Sequence, residues 1–65
     1  MDWNQVQGNW QNIKGRIRTK WAKLTDDDLE FIKGSKDQFL GKIQERYGST
    51  KDRVKMEVEE WLKTL

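Results

Sequence analysis

The sequence predicts an all-α fold, a small four-helix domain, and three observations carry that expectation. Apolar residues recur at spacings of three and four along nearly the whole chain, the period of one helix face. A side chain able to cap a helix (Asp2, Thr25, Ser35 or Ser49) stands ahead of each periodic stretch, and Gly34 and Gly48 close two of them. Proline is absent from the 65 residues. One domain, residues 1–65, is expected, built as two packed helical hairpins with the first helix broken or bent near Gly8.

In that first helix Asp2 is the N-cap and Gln5 stands at the third helical position. Trp3, Val6, Trp10, Ile13, Ile17, Trp21 and Leu24 fall within an arc of roughly 80° on a helical wheel. Three tryptophans lie on this stripe, so it is the largest expected contribution to the core. Gly8 and Gly15 fall near the opposite side. Each should cost about 1 kcal/mol relative to alanine inside a helix, so a bend there, or a neighbouring helix close by, is the expected reason for them.

Thr25 with Asp26, Asp27 and Asp28 reads as an N-cap followed by a turn of carboxylates, which suits the positive end of a helix dipole. This second helix, about residues 26–33, turns Leu29 and Ile32 inward and is stopped by Gly34. Ser35 and Gln38 then form a capping box for a third helix, about 36–47, with Phe39, Leu40, Ile43 and Tyr47 on one face. Ser49 caps the fourth, with Asp52 at its third position, running to about residue 63. Its stripe is Val54, Val58, Trp61, Leu62 and Leu65, beside an exposed ladder of Lys55, Glu59 and Lys63. Met56 lies off the stripe. Residues 8–33 laid over 34–59 give a weak internal repeat, pairing Gly8 with Gly34, Gly15 with Gly41, Ile17 with Ile43 and Asp26 with Asp52.

At this length a single core is near the lower limit of self-sufficiency. Cysteine and histidine are both absent, so neither disulfides nor a Cys/His zinc site can assist. Enzymatic readings fail for the same reason, since no imidazole base and no thiol nucleophile exist. Consecutive helical aspartates project about 100° apart and do not converge on an ion. No catalytic residue, metal ligand or cofactor site is therefore expected. An apolar run of about 20 residues is lacking, as is a basic-then-apolar leader, so a soluble cytoplasmic monomer without membrane association is expected.

The net charge of +2 is unevenly spread. Lys14, Arg16, Arg18, Lys20 and Lys23 face only Asp2 in residues 1–24, a local +4. Residues 25–34 set Asp26, Asp27, Asp28 and Glu30 against Lys33, a local −3. Arg16, Lys20 and Lys23 on one flank of the first helix, with the helix starts at Lys36 and Lys51, form a candidate contact for nucleic-acid backbones. The glycine face of Gly8 and Gly15 is a candidate surface for a protein partner. Tryptophans flanked by cations also suit a membrane surface, but later helices carry matching apolar faces, so an internal core is the simpler use.

The run Gly8–Leu29 and the run Gly34–Gly48 resemble the CsbD-like family of small bacterial general stress-response proteins. The most specific pieces are the paired glycines with Trp10, the segment Leu24 to Asp28, and the segment Gly41 to Gly48. Ala22 stands where the family commonly has glycine, and the chain after Asp52 is less distinctive. The resemblance implies an all-α domain in the bacterial cytoplasm, abundant under stress, and supplies no catalytic residues. The expected function is non-enzymatic, acting by binding or by physical protection. A weak, sequence-independent nucleic-acid-backbone binder is the alternative.

Overall fold

The computed structural model describes residues 2–65. Five helices follow one another: α1 (Trp3–Gly8), α2 (Trp10–Lys20), α3 (Asp26–Ile32), α4 (Lys36–Tyr47) and α5 (Lys51–Thr64). Among the described residues there is no strand.

The expected break near Gly8 is present and raises the count from four helices to five. Asp2 opens α1 with a full capping box, its carboxylate accepting from the Gln5 N–H while the Gln5 side chain accepts from the Asp2 N–H. The chain leaves helical geometry at Asn9, whose N–H closes α1 and whose carbonyl starts α2. The second departure is at the other end of this stretch. α2 stops at Lys20, so Trp21 and Leu24, expected on the helical stripe, reach the core from the turn that follows.

Thr25 caps α3 as expected, and Asp28 returns the bond to the Thr25 N–H. Termination of α3 does not use Gly34 in a left-handed conformation, because Gly48 is the only described residue with positive φ. Instead the Ser35 N–H donates to the Ile32 carbonyl. The Lys33 carbonyl, one of the last in the helix, accepts from the Trp3 indole at 3.2 Å and the Gln7 carboxamide at 3.1 Å. Short α1 thereby caps the end of α3.

Ser35 caps α4 through the Gln38 N–H, but the reciprocal half of the expected box is missing because the Ser35 N–H is already bonded to Ile32. Gly48, at φ 65°, ends α4 in the left-handed region that glycine enters without strain. Thr50, not Ser49, caps α5, its hydroxyl accepting from the Arg53 N–H. The caps Thr25 and Thr50 are 25 residues apart while the core pairs Ile13 with Phe39 and Ile17 with Ile43 are 26 apart, so the internal repeat slips by one residue at the turn.

Backbones approach most closely where α4 meets α3 and α5, and where α1 meets α2. Helix α4 is thus shared by both pairings instead of belonging to one of two separate hairpins. Its Phe39, 0% exposed, is the centre of the molecule. The Phe39 ring lies 5.4 Å from Trp3, 5.2 Å from Trp21 and 6.0 Å from Trp61, and Trp21 meets Trp61 edge-on at 5.1 Å. Edge-to-face geometry of this kind adds to the area that aromatic rings bury. The radius of gyration, 10.7 Å, is that of a close-packed domain of this length.

Candidate functional site

The candidate cations divide into three places. Lys20 ends α2, with its ammonium 5.4 Å from the centre of the Trp21 ring. Lys23 lies in the next turn, its ammonium 5.0 Å from the Tyr47 ring and its N–H donating to the Tyr47 hydroxyl at 3.1 Å. These contacts hold both lysines where the end of α2 meets the end of α4. Lys51 begins α5 just past the same end of α4, while Arg16 is exposed on α2. Lys36 is set apart. It opens α4, roughly 16 Å of helix from Tyr47, and lines a depression with Trp3, Leu62 and Lys63. The five residues therefore do not form one patch.

Among the described residues, Lys14, Arg16, Lys20 and Lys23 make no ion pair, whereas Arg18 is bonded to Asp26. The expected ladder of Lys55, Glu59 and Lys63 carries no ion pair either; on that helix Arg53 pairs with Glu57 at 3.3 Å. Gly8 and Gly15 have open space where a Cβ would stand. No neighbouring helix explains them. Gly8 accompanies the break at Asn9, and nothing in the structure accounts for Gly15.

One polar cluster was not visible in the sequence. Asp28 is 4% exposed and accepts from the Arg46 guanidinium at 2.9 and 3.0 Å, one bond to each carboxylate oxygen. Its Oδ2 also accepts the Thr25 N–H at 3.1 Å, and the Lys42 ammonium stands 3.6 Å from Oδ1. The Arg46 hydrogen bonds, then the Thr25 N–H, hold the Asp28 carboxyl pKa well below the usual carboxylate range against the opposing effect of burial, and Asp28 in turn raises that of Arg46. A perturbed carboxylate can mark a reactive site. Here both carboxylate oxygens are engaged by structural partners, three hydrogen bonds and an ion pair, so the cluster is a clamp between α3 and α4. No group of three or more His, Cys, Asp or Glu among the described residues is arranged to hold a metal ion.

Among the described residues the exposed large apolar side chains are Phe31, 53% exposed, and Met56, 65% exposed. Three of the four tryptophans are buried and Trp3 packs against the core, so their bulk serves the interior. No helix is long and apolar enough to cross a membrane.

Comparison with known proteins adds to this. The CsbD-like family model matches residues 4–56. A UPF0337 protein of Rhodopseudomonas palustris is 57% identical over 65 residues, covering 100% of this chain and 98% of its own. UPF0337 protein YjbJ of Escherichia coli is 49% identical over 63 residues, 97% of this chain and 91% of its own. A UPF0337 protein of Pectobacterium atrosepticum is 49% identical over 61 residues, 94% of this chain and 88% of its own. No solved structure matches the chain significantly.

Proposed function

The chain belongs to the CsbD-like family, and from that premise we propose a bacterial general stress-response protein that acts without catalysis, by shielding other macromolecules when water or ions become limiting. The observation that carries this reading is the division between interior and surface. Nearly all large apolar side chains are committed to the core, and 37% of the residues are charged, with 13 cations nearly balanced by 11 anions. Such a surface holds water strongly and has little tendency to self-associate. It can separate aggregation-prone proteins without engaging them stereospecifically.

The test is a drying or heating assay on an aggregation-prone enzyme, with this protein compared at equal mass to an unrelated soluble domain. Lower turbidity and higher recovered activity than the control are expected. Equal turbidity with both proteins would sink the reading.

A second reading is favoured by Lys14, Arg16, Lys20 and Lys23, which make no ion pair among the described residues. They suit sequence-independent contact with nucleic-acid phosphates. Counterion release then requires affinity to fall steeply with salt, whereas shielding lacks that dependence.

A further inference from the structure

Where the ends of α2 and α4 meet the start of α5 there is a recess of about 250 Å³. Its floor is apolar, formed by Trp21 and Ile43, and its polar lining is Lys20, Tyr47, Ser49, Arg53 and Glu57. Four groups of that lining have donor capacity left over. Lys20 makes no ion pair among the described residues. Arg53 uses only its Nε on Glu57, which leaves both terminal nitrogens available. The Tyr47 hydroxyl already accepts from the Lys23 N–H, so its proton remains to be donated. The Ser49 hydroxyl has no hydrogen-bond partner among the described residues. Glu57 is the one acid of the lining; Arg53 Nε holds its Oε1, and its Oε2 faces solvent as the one competing acceptor.

We propose that this recess binds a phosphate group, carried either by a small phosphoester or by a nucleic-acid strand. Four donors, from three helices and the α4–α5 connection, surround a space of the right size. A terminal phosphate offers several acceptor oxygens on a compact tetrahedron and can meet them together. Arg53 would meet two of its oxygens with the terminal guanidinium nitrogens, and Lys20 would supply the second positive charge. The site is independent of the shielding role, and it shares only Lys20 with the nucleic-acid reading.

The experiment is an amide NMR titration of the labelled full chain at low salt. Adenosine monophosphate serves as the small phosphoester and a single-stranded DNA of about 12 nucleotides as the strand. Shifts gathered on Lys20, Ser49 and Arg53 are expected. Lys20→Gln should weaken binding about tenfold, and Arg53→Gln, which removes two charge-assisted hydrogen bonds, at least as much. Tyr47→Phe should weaken it less, and Lys55→Gln, on an exposed part of α5, should leave it unchanged. Melting curves of each variant confirm the fold. Response to the monophosphate assigns a small phosphoester; response to the strand alone, lost in Arg53→Gln, assigns a strand phosphate. Absence of localised shifts with both probes overturns the site. Strand binding unaltered in Arg53→Gln and Lys20→Gln removes the recess while leaving contact through the rest of α2 intact.

Discussion

Gly15 and Gly41 sit inside α2 and α4 with open space where a Cβ would stand, so their effect on the fold is purely conformational. Gly15→Ala and Gly41→Ala should each raise stability by about 1 kcal/mol, read as a higher denaturant midpoint. Gly48→Ala should move the midpoint the other way by about 1 kcal/mol, because φ 65° strains any residue with a Cβ. Asp28 gives a different kind of expectation. Its carboxyl is held below its ordinary 3.8 by Arg46, so the native state binds fewer protons than the unfolded chain in acid. The stabilisation is fully present above about pH 4 and is lost progressively as pH falls below that. Asp28→Asn should lower stability at pH 7 by about 2 kcal/mol and flatten the acid limb of a stability curve measured from pH 7 down to about pH 2. At this scale the sequence was legible where the signal is local. Thr25 ahead of three aspartates could be read as a cap, but the Arg46 partner of Asp28 lies 18 residues on and leaves no periodic trace. The recess was hidden for the same reason. Lys20, Tyr47 and Arg53 belong to three helices, and only folding brings them together.

Helix α1 is six residues long, too short to persist alone in water. Val6 in the core and the two bonds from Trp3 and Gln7 to the Lys33 carbonyl hold it. Gln7→Ala should therefore act locally. Hydrogen exchange of the α1 amides should speed up several-fold, for a loss of about 1 kcal/mol, while exchange in α4 and α5 stays at its original rate. The elements were legible in type and nearly so in extent, including the weak point near Gly8 and the full span of α4. The ends were less so. Trp21 and Leu24 continue the apolar spacing of α2 because the core needs them, although they sit in a turn, and periodicity cannot tell a buried turn residue from a helical one. Ser49 and Thr50 are adjacent hydroxyls, and the expected cap, Ser49, is displaced by one residue to Thr50 because either fits the local pattern.

The whole molecule depends on Phe39 and the three tryptophan rings around it. Phe39→Ala should cost about 3–5 kcal/mol, comparable to the entire stability of a domain this small, so circular dichroism should show a largely unfolded chain at 25 °C. Phe39→Leu should remain folded with a lower melting temperature. All-helical architecture was readable from periodicity, but the sharing of α4 by both pairings was not, because apolar spacing identifies a buried face without naming its partner. That sharing has a kinetic consequence. The helices in closest contact are neighbours along the chain, so most backbone contacts close short loops, the regime in which domains form in microseconds to milliseconds. With no proline to isomerise and no cysteine to mispair, the slow phases common in refolding have no source. Stopped-flow dilution from denaturant should finish in a single phase within milliseconds. A chain unfolded by heat or drying would then regain its native state as soon as the solvent returned, without assistance from other proteins.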